Sequence, residues 1–212
     1  MVTHITMVLD SSGSMQSLKE DTIGGFNAFL DDQEDEDGEA TITLYDFNTN
    51  VDCVYQAQDI EDAPRLDAET YTPSGQTALH DAIVAAIDTA ADRIETLEDD
   101  QPDTVIVVVL TDGKENASET PHDTVREQVE TRQNEYDWEF LFIGANQDAA
   151  LTAEGMGIDS DRALSMSASG EGTREAYTST SRQVTNARSP DASMDGFDEE
   201  DRQRQRDADP SS

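Results

Sequence analysis

Asp10, Ser12 and Ser14 occupy alternate positions in the segment Asp10-Ser11-Ser12-Gly13-Ser14, directly after an apolar run from Val2 to Leu9. That spacing places a carboxylate and two hydroxyls on one tight loop, with Gly13 allowing the backbone to turn. A second oxygen-bearing corner, Thr111-Asp112-Gly113, closes the apolar run from Thr104 to Leu110. A third, Thr72-Pro73-Ser74-Gly75-Gln76-Thr77, delivers another hydroxyl just before a helical pattern begins. Such hard oxygen ligands suit Mg²⁺, Mn²⁺ or Ca²⁺ in six-fold coordination and match zinc or copper poorly.

The elements that must hold these corners are legible as apolar patterns. Short runs rich in β-branched and aliphatic residues at Val2 to Leu9, Thr41 to Phe47, Thr104 to Leu110 and Trp138 to Ile143 predict strands, with a last short strand at Ala163 to Met166. The run Val105 to Leu110 is continuous rather than alternating, as expected of a central parallel strand covered on both faces. Thr41 to Phe47 and Val51 to Tyr55, joined across Asn48-Thr49-Asn50, read as a hairpin, which makes one edge strand antiparallel.

Between the strands, Leu79, Ala82, Ile83, Ala86, Ile87, Ala90, Ile94 and Leu97 recur at three and four and predict an amphipathic helix. Met15, Leu18, Thr22, Phe26, Phe29 and Leu30 form a second stripe, and further helices are expected around residues 147–154 and 171–185. Alternation of strands with helices of this length implies right-handed crossovers and a doubly wound α/β fold, a mostly parallel sheet with helices on both faces. In such sheets ligands gather beyond the carboxyl ends of the strands, where strand order reverses. The corners at Asp10 and Asp112 are expected there.

The set Asp10-x-Ser12-x-Ser14, Thr77 and Asp112 resembles the metal-ion-dependent adhesion site of von Willebrand factor type A (VWA) and integrin I domains, matched in order and at the ends of the expected elements. The resemblance spans residues 2 to 187, with further likeness at Gly24-Gly25-Phe26-Asn27, Thr77-Ala78-Leu79-His80-Asp81-Ala82 and Trp138 to Gly144. It is nearest to small cytoplasmic microbial and phage-encoded forms.

The resemblance implies a Rossmann-like fold with Ser12, Ser14 and Thr77 as direct ligands of Mg²⁺ (or Mn²⁺ or Ca²⁺), and Asp10 and Asp112 as direct or water-mediated ones. It further implies a non-enzymatic module whose metal takes an Asp or Glu from a protein partner, as an adaptor in a larger assembly with an ATPase or an assembly subunit as the partner. The alternative is a structural component of a particle or surface complex. Gly13, Glu115, Asn116 and Asn146 are candidates for outer contacts to the metal or partner, against the plainer roles of turn, solvated loop and helix cap.

Composition narrows the remaining classes. Asp and Glu outnumber Lys and Arg 48 to 13, for a formal charge of −35 over 212 residues. No basic cluster exists to meet phosphates, so nucleic acid and anionic membranes are not expected partners. So much acid resembles salt-adapted proteomes, because at molar ionic strength the Debye length shrinks to roughly 3 Å and repulsion among surface carboxylates is largely cancelled.

Cys53 is single, and no apolar stretch approaches the ~20 residues needed to span a bilayer, so a cytoplasmic domain over 1–187 is expected. Residues 188–212, acidic and without periodicity, read as a disordered tail. A serine hydrolase is a weaker reading, since none of His4, His80 and His122 sits in a triad setting and Ser12 is not flanked as in Gly-x-Ser-x-Gly.

Overall fold

The computed structural model describes residues 1–145, 148–189 and 194–209. Six strands, β1 (Val2–Asp10), β2 (Glu39–Phe47), β3 (Val51–Asp59), β4 (Thr104–Thr111), β5 (Glu139–Ala145) and β6 (Ala163–Met166), form one sheet in the order β3-β2-β1-β4-β5-β6. All neighbours are parallel except the hairpin β2/β3, whose register runs from Phe47 opposite Val51 to Thr41 opposite Asp59. Among the described residues six α-helices accompany them: α1 (Lys19–Glu34), α2 (Leu79–Thr96), α3 (His122–Tyr136), α4 (Ala149–Gly155), α5 (Gly170–Arg188) and α6 (Glu199–Asp207).

The continuous apolar run of β4 is explained by two cores. Ile106, Val108 and Leu110 pack with Phe26, Phe29 and Leu30 of α1 and Val184 of α5. Val105, Val107 and Val109 point the other way, into a cluster with Ile83 and Ile87 of α2 and Val125 and Val129 of α3. Each of these strand side chains is 5 % exposed or less, so an alternating pattern would have put polar groups into one core or the other. The helices therefore cover both faces, as the sequence predicts.

The chain leaves β1 toward β2 and β3 on one side, then returns to β4 on the other side and continues outward to β5 and β6. The order thus reverses between β1 and β4, and their pairing ends at Leu9 and Leu110, just before Asp10 and Thr111.

Two parts differ from expectation. α3 has no clear sequence signature, because its 15 residues bury only Val125 and Val129. The expected disordered tail over residues 188–212 is corrected for its described part, residues 188–189 and 194–209, which packs on the body and includes α6. Arg188 is buried and its guanidinium donates to Gln33, while Met194 and Phe197 join the core on the α1 side.

α6 begins with a capping box between Asp198 and Asp201 and rests on β6 through side-chain bonds, Gln205 Oε1 accepting from Ser167 N at 2.9 Å and Arg202 donating to Ala163 O at 3.0 Å. Two apolar anchors and a well-capped helix hold residues 194–209 on the body, although the average composition around them reads as disordered. Among the described residues, no helix is long and apolar enough to cross a membrane.

Candidate metal site

Asp10 ends β1 with no solvent exposure, and its two carboxylate oxygens face different elements. Oδ1 accepts from Ser12 N at 2.7 Å, which folds the Asp-x-Ser loop back over the strand end. Oδ2 accepts from Thr111 Oγ1 at 2.5 Å, tying β1 to β4. The main-chain oxygen of Asp10 accepts from the buried Tyr71 hydroxyl at 2.5 Å, so its backbone is held as well.

The other predicted ligands follow in an unbroken run. Ser12 Oγ lies 3.1 Å from Ser14 Oγ, and Ser14 Oγ donates to Asp112 Oδ1 at 2.5 Å. Thr77 arrives on its own loop, which is pinned to the first by Gly13 N donating to Gly75 O at 3.1 Å and Ser74 N donating to Ser11 O at 2.7 Å. Its placement is fixed by Gly113. A Cβ at residue 113 would stand 2.7 Å from Thr77 Oγ1 and 3.3 Å from Asp10 Oδ2, so both oxygens crowd the same point above the end of β4. Asp10, Ser12, Ser14, Thr77 and Asp112 are thereby brought together at the reversal of strand order.

The outer candidates divide. Asn116 clasps the Thr77 backbone in both directions, its Oδ1 accepting from Thr77 N at 3.0 Å and its N–H donating to Thr77 O at 3.1 Å. Glu115 turns away to the start of α2, accepting from His80 N, Ala117 N and both the N–H and hydroxyl of Ser118. Burial opposes its ionisation, yet the bonds from Ser118, His80 and Ala117 hold its carboxyl below the usual range. Gly13 serves the turn, and Asn146 lies outside the described residues.

Thr111, Tyr71 and Gly113 also shape the site, although their sequence signal is only adjacency: two flank Asp112 and one opens the Thr72 loop. Their importance lies in contacts across 61 and 101 residues of chain.

The electrostatics suit a cation. Burial lifts the Asp10 carboxyl above its ordinary range despite hydrogen bonds from Thr111, Ser12 and Gly113. Burial likewise lifts Asp112, and repulsion from Asp10 adds to it, against the pull of the Ser14 hydroxyl. Two anions so placed are destabilised until a positive charge joins them. Among the described residues, no group of three His, Cys, Asp or Glu side chains is arranged to hold a metal. A cation at this corner therefore has two carboxylates and three hydroxyls to use, which fits Mg²⁺, Mn²⁺ or Ca²⁺.

No family profile and no curated protein sequence matches the chain. Solved structures do. Proximal thread matrix protein 1 from the mussel byssus superposes with a TM-score of 0.62 at 14 % identity, over 87 % of this chain and 46 % of that one. A von Willebrand factor type A protein from Catenulispora acidiphila gives 0.59 at 16 % identity, over 87 % and 43 %. The vWF domain of the type V pili tip protein Mfa5 from Porphyromonas gingivalis gives 0.60 at 8 % identity, over 86 % and 94 %.

The fold is that of a von Willebrand factor type A domain. This chain spans less than half the length of the first two proteins and nearly all of the Mfa5 domain. In this VWA fold the loops after β1 and β4 and the loop before α2 meet at the carboxyl edge of the sheet, which is where the five oxygen-bearing residues lie.

Proposed function

We propose that this VWA domain is a divalent-cation-dependent protein-binding module. Ser12, Ser14 and Thr77 would hold the cation by their hydroxyl oxygens, and Asp10 and Asp112 directly or through water. The observation that carries the reading is the hydrogen-bonded chain from the Asp10 carboxylate through Ser12 N–H, and from the Ser12 and Ser14 hydroxyls to Asp112, with Thr77 Oγ1 crowding the same corner beside Gly113. When bound, Mg²⁺, Mn²⁺ or Ca²⁺ supplies a positive charge that neutral hydroxyls leave largely unquenched, and an Asp or Glu of a protein partner can meet it.

The site reads as a binder rather than an enzyme. The Ser12 and Ser14 hydroxyls pair with each other and with Asp112. His4 is buried at the far end of β1, and His80 and His122 stack edge to face with centroids 5.5 Å apart. A serine nucleophile would lack its base.

In this reading the domain is a cytoplasmic adaptor in a larger assembly, with an ATPase as one class of partner. A structural role in a particle or surface complex is the second reading, and the likeness to a pilus tip protein and a thread matrix protein supports it. The charge of −35 supports a working medium of high ionic strength. Capture of partner proteins from the native source in molar KCl tests the reading. Mg²⁺-dependent capture lost with Asp10→Ala supports it, and equal capture in chelator contradicts it.

A further inference from the structure

The distribution of charge around the site carries an inference about the partner. Of 212 residues 48 are Asp or Glu, and they occur in almost every surface segment. The segments nearest the site, residues 11–18, 48–50, 72–77 and 113–118, which are parts of longer loops, together hold one, Glu115, and its carboxylate is taken up by α2 and Ser118.

The exposed side chains of these loops are amides and hydroxyls, among them Ser14, Gln16, Thr49, Asn50 and Gln76, together with Lys114. The loops form one surface, since Gln76 N donates to Thr49 Oγ1 at 2.9 Å, Ala78 N to Asn48 O at 2.8 Å and Gly13 N to Gly75 O at 3.1 Å. Acids resume where the chain leaves these segments, with exposed Asp52, Glu69 and Glu119.

The opposite end of the sheet is unlike it. A cavity of about 780 Å³ at the amino ends of β1 and β2 is lined by Glu34, Asp37, Glu39, Asp59, Glu61 and Asp62 among others. An acidic surface is thus what this chain builds by default, and the rim of the candidate metal site departs from it.

We infer that the rim is an electrostatic gate for a projecting segment of a partner protein, in which the carboxylate that meets the metal is flanked by neutral polar residues. This inference rests on the proposed metal-dependent binding. At high ionic strength charges interact only over a few ångströms, so the residues in contact range decide which charges are tolerated. A partner with basic flanks would gain from acids at the rim, which the composition supplies freely everywhere else. A partner that brings a carboxylate is repelled by such acids, and their absence admits it. The acids that adjoin the rim limit the footprint to a loop or terminus, because a broad acidic face would meet Asp52, Glu69 and Glu119.

The test uses the full chain in 1 M KCl with Mg²⁺ and two synthetic peptides, Gly-Ser-Gln-Glu-Gln-Ser-Gly and its counterpart with Lys in place of both Gln residues, titrated by NMR. Wild type is expected to bind the neutral-flanked peptide in a Mg²⁺-dependent manner and the Lys-flanked one no better. Gln16→Glu with Gln76→Glu should keep or raise Mg²⁺ affinity, weaken the neutral-flanked peptide by at least about threefold and reverse the preference.

Stronger binding of the Lys-flanked peptide by wild type, or an unchanged ratio in the double variant, overturns the inference. Normal Mg²⁺ binding with no uptake of either peptide overturns it too. Failure of wild type to bind Mg²⁺ at all instead removes the metal reading beneath it.

Discussion

Thr111 Oγ1 donates to Asp10 Oδ2 at 2.5 Å and, through the same oxygen, accepts from Gly113 N at 3.1 Å. One hydroxyl therefore aligns the ends of β1 and β4 and orients the carboxylate at the centre of the site. Thr111→Val keeps the shape and removes both bonds. Isothermal titration in 1 M KCl should show Mg²⁺ affinity reduced about 10–100-fold, the range found when groups that orient metal ligands are lost. Chemical denaturation should show a loss of about 1–2 kcal/mol.

Gly113 is required for a different reason. Its missing side chain leaves room for Thr77 Oγ1, which a Cβ would meet at 2.7 Å. Gly113→Ala should displace that oxygen from the site and lower Mg²⁺ affinity at least about tenfold, with a smaller cost to the fold, about 1 kcal/mol from local crowding. Titration beside a melting curve separates the two effects.

At the other end of β1, His4 sits among Thr41, Thr6 and Thr43, its Nδ1 2.9 Å from Thr41 Oγ1. Burial, with the charge of Arg93 adding to it, pushes its pKa down to about 4 from 6.5. The folded chain resists a proton that the unfolded chain accepts, so this contribution is complete above pH 6.5 and declines as pH falls toward 4. Its full size is on the order of 3 kcal/mol. Raised carboxylates such as Asp10 and Glu139 act in the opposite sense, so the comparison must be with His4→Gln. Denaturation midpoints from pH 7 to 4 should fall more steeply for wild type than for the variant.

Asp201 locks α6 to the body. Its side chain has no exposure, accepts from Ser179 Oγ at 2.7 Å and Asp198 N at 3.0 Å, and pairs with Arg182 and Arg204. Asp201→Ala should cost about 2–3 kcal/mol by leaving the buried Ser179 hydroxyl without its acceptor and by removing the buried carboxylate that Arg182 and Arg204 share, although these keep Asp198 and Glu200. Limited proteolysis should then cut within α6 faster than in wild type.

Much of this architecture can be read from residue order because the deciding signals are local. Val105 to Leu110 announces a strand buried on both faces, and the stripe from Leu79 to Leu97 announces α2. Where the signal is weak, the reading fails. α3 shows the core two valines in 15 residues, and the later half of β3 carries Gln56 and Gln58, as an edge strand allows, so the strand runs four residues past the expected Tyr55.

α6 is ordered by contacts to β6 and α5 that no window of its own sequence contains. The same division holds at the site. Asp10, Ser12, Ser14, Thr77 and Asp112 are recognisable by spacing and position, whereas the roles of Thr111, Gly113, Tyr71 and Glu115 depend on partners in other parts of the chain.

The most direct measurement is Mn²⁺ binding by electron paramagnetic resonance in 1 M KCl, where loose association with surface carboxylates is screened. One Mn²⁺ should bind per chain, competed by Mg²⁺ and lost in both the Asp10→Ala and the Thr77→Ala variants, which retain wild-type circular dichroism. No saturable Mn²⁺ in wild type, or binding unchanged in both variants, would contradict the proposed metal site.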